Sequence, residues 1–267
     1  MRLVLIVSFL SFACGPSAAP PSPSPSEPAT SQPSVPTSSV PSPERPSQPV
    51  SREIYIDGVD VANPVVVTGR ARTFENNVAL RLRDARGALL SETFTTSAGE
   101  MGHHNPYRGT LWITRDPGDR ITVEALEYSA KDGSERSLVS ETRPFAVEMI
   151  SATLYLPDTN CTKVAPYTRR IPKSMSHARL LVEALIGGPL DSERGAAAMF
   201  PSGSRVESVN LRDGVLTVDF NERLQNVGGA CRARMIRESV TRTLQELPSV
   251  KKVVLTAGGS EALALQP

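Results

Sequence analysis

The hydrophobic period of this chain changes near Ser151, and that change decides what each part can fold into. Ahead of it, apolar residues alternate with polar ones. The runs are Ile54 and Ile56; Val65 and Val67; Val78, Leu80 and Leu82; Leu111 and Ile113; Ile121, Val123 and Ala125; and last Phe145 with Val147. Arg86-Gly87, Pro117-Gly118 and Asp132-Gly133 mark turns between them. A period of two puts successive side chains on opposite faces. Runs of this kind with no helical period predict an all-β sandwich of about seven short strands. Behind Ser151, a strand at Ala152 to Leu156 leads into Ala178, Leu181, Val182, Leu185 and Ile186 at helical spacing, and Gly187-Gly188-Pro189 ends that helix. Val209 with Leu211, then Leu216, Val218 and Phe220, flank Asp213-Gly214, a strong hairpin signal. A second helix runs from Cys231 to Leu247 until Pro248 stops it, and Lys251 to Thr256 is a final strand. The order βαββαβ predicts an α+β domain, a small sheet with two helices on one face.

The front of the chain belongs to neither pattern. Arg2, the apolar run Leu3 to Ala13 and then Cys14 read as a targeting segment, too short to span a bilayer. The run resembles a bacterial lipoprotein signal in which Cys14 is lipidated. Ser11 and Phe12 depart from the usual leucine and small residue, so plain secretion is the alternative. From Gly15 to Val50, twelve of the 23 prolines stand among serine, alanine and threonine. That composition builds no core and favours an extended stalk of up to roughly 110 Å. Four segments follow: a signal over 1–14, a disordered stalk over 15–50, the sandwich over 51–149 and the α/β domain over 150–267.

With Cys14 taken by lipid, the three cysteines leave Cys161 and Cys231 as one pair. An exported location suits a disulfide between them, and two buried free thiols are the alternative. Lys plus Arg number 29 against 28 acidic residues, so a net charge of +1 gives no long-range attraction for nucleic acid.

Two stretches carry a family resemblance. "NPVVVTGRARTFENNVALRLRDARGALLSETFTTSAGEMGHHNPYRGTLWI", followed by "VEALEYSAKDGSE", resembles the immunoglobulin-like domain of bacterial spore germination. "LYLPD", "RRIPKSMSHARLLVEALIGGP", "FPSGSRVESVNLRDGVLTVDFNERL" and "VTRTLQELPSVKKVVLTAGG" resemble the GerMN domain of sporulation and germination lipoproteins. The resemblance implies a fold similar to ring-building motifs, no catalytic activity, and an envelope protein partner or self-assembly.

The chemical candidates are few. Glu100, Met101, His103 and His104 offer metal-type ligands, but Gly99, Gly102, Asn105 and Pro106 are turn formers, and adjacent histidines on a strand face opposite ways. A polar hairpin tip is the reading, with no metal and no cofactor. If Leu111 and Ile113 face the core, Trp112 faces outward as a contact surface. It is then either covered by the neighbouring domain or exposed as a platform for sugar or peptide, with peptidoglycan as the alternative partner. A thiol nucleophile would need a reduced Cys161 or Cys231 and a base such as His177. Arg232, Arg234, Arg237 and Arg242 are spread around the second helix rather than lined up, as a solvated face is. No Gly-rich phosphate loop, metal-spaced Cys/His set or nucleophile elbow occurs. The expectation is a non-catalytic, membrane-anchored extracytoplasmic lipoprotein acting as a binding or assembly module. An exported thiol enzyme is the rival.

Overall fold

A computed structural model of the chain describes residues 52–261 and 264–266. The expected signal segment over 1–14, the expected lipidation site Cys14 and the expected stalk over 15–50 lie outside the described residues.

The first seven strands are β1 (Ile54–Asp60), β2 (Val65–Ala71), β3 (Asn77–Arg83), β4 (Leu89–Thr96), β5 (Asn105–Leu111), β6 (Arg120–Tyr128) and β7 (Glu135–Pro144). They form two antiparallel sheets, β1-β2-β5 and β4-β3-β6-β7. The alternating residues Ile54, Val65, Val67, Val78, Leu80, Leu82, Leu111, Ile121 and Val123 are fully buried between them. This is the sandwich the period of two predicts. Its last strand is corrected, however. Phe145 and Val147 follow β7 rather than forming a strand, and they pack on the core from the connecting segment. β7 itself, "ERSLVSETRP", is an edge strand with little to bury, so its apolar alternation is faint.

The second domain comprises β8 (Met149–Pro157), β9 (Val164–Pro172), α1 (His177–Ile186), β10 (Val206–Arg212), β11 (Val215–Phe220), α2 (Ala230–Gln245) and β12 (Lys252–Ala257). One strand, β9, is added to the expected order. It pairs with β8 as a separate hairpin, while β10-β11-β12 form a three-stranded sheet, antiparallel then parallel. The pattern hides β9 because Arg169 occupies an inward position. Its side chain is 3% exposed and is neutralised by Glu193.

Local chemistry explains the ends of these elements. In α1, Gly188 takes the left-handed conformation (φ 76°), its N–H bonds the Leu185 carbonyl, and Pro189 follows. Asp213 (φ 52°) and Gly214 (φ 83°) both sit at positive φ, as a two-residue type I′ hairpin between β10 and β11 demands. Cys161 and Cys231 form a disulfide with Cα atoms 6.1 Å apart, tying the β8–β9 turn to the start of α2. No thiol nucleophile is left on either. The arginines of α2 go to separate local partners. Arg232 reaches the Val227 carbonyl, Arg234 that of Cys161, Arg237 that of Ala264, and Arg242 pairs with Glu238.

Candidate functional site

The chemistry-bearing stretch from Gly99 to Ile113 begins as a loop. Met101, His103 and His104 are exposed at its tip. Nε2 of His104 lies 3.0 Å from the Arg52 carbonyl, and its ring stands edge-on to Tyr55. Asn105 donates to the Glu100 carbonyl, and Asn76 to that of Gly99, so the loop is closed by its own polar groups. No cluster of three or more His, Cys, Asp or Glu side chains suited to a metal ion occurs among the described residues.

Beyond the loop, β5 alternates strictly: Tyr107, Gly109 and Leu111 point inward, while Arg108 and Thr110 point outward. Trp112 continues the outward series and packs, partly buried, against the core of the second domain. The Arg179 guanidinium of α1 lies 5.6 Å from the centre of the indole, a cation–π arrangement. Asn63, 4% exposed, completes the seam. Its amide nitrogen donates to the carbonyls of Ile113 (3.1 Å) and Pro172 (3.0 Å), and its oxygen accepts from the Ile113 N–H (3.0 Å). One side chain thus joins the end of β9 to the sandwich. Replacing it strands those buried groups, so Asn63→Ala should lower stability by about 2 kcal/mol. Denaturant unfolding of the intact chain measures this, and a change within about 0.5 kcal/mol would remove Asn63 from the seam.

Beside the seam, a cleft of about 620 Å³ opens between the two domains, with β4, β5, Trp112, α1 and the approach to β10 along its walls. Arg179 spans one wall. It pairs with Glu183 at 3.3 Å and donates to the carbonyls of Val206 (2.6 Å) and Glu207 (3.3 Å). Burial pushes the Glu183 carboxyl up, and the charge and hydrogen bond of Arg179 oppose that rise. His177, in the first turn of α1, lines a separate hollow with Leu211 and Leu247, its Nδ1 buried and unpartnered among the described residues. Burial holds its imidazole below the ordinary range. The unfolded chain therefore takes up a proton near about pH 6.5 that the folded chain resists, and stability falls as pH drops below that value. Melting curves between about pH 7.5 and about pH 5.5 should slope downward for the parent and flatten for His177→Gln. Equal slopes would contradict this.

The outer face of the β4-β3-β6-β7 sheet carries a second feature, which the period of two does not reveal. Phe94 on β4 is 65% exposed and Phe74 60%, and Tyr128 of β6 lies between strand and turn with its ring 6.1 Å from that of Phe94. Beneath them, Arg81 donates to Glu92 (3.0 Å), to Glu135 (2.5 Å) and to the Tyr128 hydroxyl, and its guanidinium stands 5.3 Å from the Tyr128 ring centre. These partners push Arg81 still further up, and the Tyr128 hydroxyl is held between Arg81 and Glu92. Phe94 sits on the strand phase that otherwise carries Glu92 and Thr96. A lone aromatic in a polar phase was the available signal.

Each of the two domains matches a known domain family. Residues 56–134 match the model described as "Immunoglobulin-like domain of bacterial spore germination", and residues 153–263 match the one described as "Sporulation and spore germination". No curated protein matches the chain. Among solved structures, the tandem GerMN domains of the sporulation protein GerM from Bacillus subtilis are 31% identical, with 42% of this chain and 40% of that one covered and a TM-score of 0.38. The first GerMN domain of the same protein is 32% identical, with 42% and 84% covered and a TM-score of 0.37. A putative lipoprotein from Clostridium perfringens is 19% identical, with 42% and 76% covered and a TM-score of 0.30. The chain spans well under half of the tandem-domain structure it matches. Its residues 56–134 belong to the immunoglobulin-like domains of bacterial spore germination, and its residues 153–263 to the sporulation and spore germination domains of GerMN type.

Proposed function

We propose that the protein is a non-catalytic extracytoplasmic lipoprotein, anchored to the cell membrane through Cys14, that acts as a protein-binding or assembly module of the envelope. One observation carries the binding role. Phe74 and Phe94 stand exposed around Tyr128, whose hydroxyl is hydrogen-bonded to Arg81 and Glu92, with carboxylates at the rim. Aromatic anchors with a polar rim are the anatomy of protein interfaces, and an isolated domain gains nothing from leaving them in water. The seam supports the same role, because Asn63 and Trp112 hold both domains as one body that a partner can read. The disulfide leaves Cys161 and Cys231 unavailable as nucleophiles, which is in keeping with a non-catalytic part.

The test is retention of envelope proteins on the intact, affinity-tagged chain after membrane solubilisation. Phe74→Ser with Phe94→Ser touches only exposed positions, so stability should change by less than about 0.5 kcal/mol. The retained partner should drop about tenfold or more, as loss of hot-spot aromatics does. Cys14→Ala should release the chain from the membrane fraction. Retention on purified cell wall alone, unaffected by the Phe substitutions, would contradict the reading and favour a peptidoglycan-binding module.

A further inference from the structure

The sandwich has four edge strands, and they differ in protection. Exposed edges invite pairing with other chains, and proteins blunt them with charges, prolines, bulges or very short strands. β1 carries Asp57, Asp60 and a register shift between Ile56 and Gly58. β5 carries Pro106 and Arg108, and the carbonyl of Arg108 is taken by the Thr95 hydroxyl at 2.8 Å. β7 carries Arg136, Arg143 and Pro144 among its charges. β4, "LLSETFTT", has eight residues without Lys, Arg, Pro or Gly, and its one charge, Glu92, is engaged by Arg81.

β4 hydrogen-bonds to β3 alone. Six consecutive residues of it, Leu90 to Thr95, line the interdomain cleft. A strand that presents a face contributes every second residue, so an unbroken run means that the backbone edge itself forms the wall. The start of the edge is taken, since Arg115 donates to the Leu89 carbonyl at 2.9 Å. The end of the edge is taken as well, since the Thr95 hydroxyl donates to the Arg108 carbonyl of β5, and what remains is the stretch of ladder from Leu90 to Phe94 along the groove wall.

Charge selects the occupant. Arg108, Arg179 and Arg205 line the groove against Glu92 and Glu183. Both carboxylates are already paired, Glu92 with Arg81 and Glu183 with Arg179. Arg205 meets Glu207 in an exposed contact, and the guanidinium of Arg108 has no partner among the described residues. An added strand would therefore meet excess positive charge.

We propose that the cleft between the two domains takes an extended acidic segment of a partner protein, which adds as a strand to the free edge of β4 and sets its carboxylates against Arg108. Main-chain hydrogen bonds supply affinity in such strand addition, and alternate side chains supply selectivity. This rests on the protein-binding reading above and names the kind of segment bound.

Trp112 is the only tryptophan and lines the cleft, so its emission reports occupancy directly. The probes are three capped eight-residue peptides, titrated into the intact chain: alternating valine and glutamate, alternating valine and lysine, and the glutamate peptide with a central proline. The glutamate peptide should shift the emission saturably and slow hydrogen exchange at residues 90–95. The lysine peptide should bind about tenfold more weakly, the worth of one or two exposed charge pairs. The proline peptide, which cannot complete the ladder, should not protect β4. Arg108→Glu should reverse the order of the first two, and an unchanged melting temperature shows that the variant folds. The proposal is overturned if no peptide binds saturably at millimolar concentration, if the proline peptide protects β4 equally, or if Arg108→Glu leaves the order unchanged. It is also overturned if the chain alone pairs through β4 as its concentration rises, since a second copy is then the occupant. Phe94 also lines the cleft, so Phe74→Ser alone separates the two readings: failure of these peptides with Phe74-dependent partner retention intact removes the cleft alone. Loss of that retention as well removes the binding role.

Discussion

Arg169→Ala should cost about 3–5 kcal/mol, the penalty for leaving a buried charge without its partner. The guanidinium donates two bonds to Glu193, at 2.9 and 2.5 Å, and one each to the carbonyls of Ala184 (3.3 Å) and Gly188 (3.0 Å). Glu193 also accepts the Leu190 N–H at 2.7 Å. A single ion pair thus fixes β9, the end of α1 and the turn behind it. In a chain of this size the loss corresponds to a melting temperature lower by about 10 °C. Glu193→Ala should cost as much, whereas Arg169→Met with Glu193→Leu should recover most of it, because an apolar pair incurs no desolvation of charge. Additive losses in the four-member cycle would mean that the two side chains do not act as a pair.

Removal of the disulfide, by Cys161→Ser with Cys231→Ser, should cost about 4 kcal/mol in the chain-entropy account of a bridge closing a loop of 70 residues. The loss should be local. Arg234 still reaches the Cys161 carbonyl position, but the β8–β9 turn and the first turn of α2 lose their covalent tie. Hydrogen exchange should accelerate at β8, β9 and α2 while Val67, Leu80 and Val123 in the sandwich keep their protection. Equal acceleration in both domains, or a loss below about 1 kcal/mol, would contradict this.

What could be read in advance follows the physics of burial. Strands with one face on the core, such as β2, β3 and β6, showed their alternation, and Asp213-Gly214 fixed its hairpin because both residues need positive φ. The two halves of the Trp112 environment were half legible: its outward phase follows from Leu111 and Ile113, but Asn63 and Arg179 come from distant positions that no local pattern links to it. β9 stayed hidden because Arg169 sits where an aliphatic residue is expected and is balanced by a glutamate 24 positions away. β4 and β7 were faint because edge strands bury little on either face. The Phe74, Phe94 and Tyr128 cluster is assembled from a turn and two strands, so only the three-dimensional sheet brings it together.

The proposed role has the protein bind another envelope protein through the sandwich face that carries Phe74 and Phe94. A photoreactive benzoylphenylalanine at position 94 of the intact chain, irradiated in the native envelope, tests it most directly, with the exposed Asp116 position as control. One discrete protein adduct should form from position 94 and none from position 116. Absence of a protein adduct at position 94, or coupling there to wall glycan alone, would contradict it.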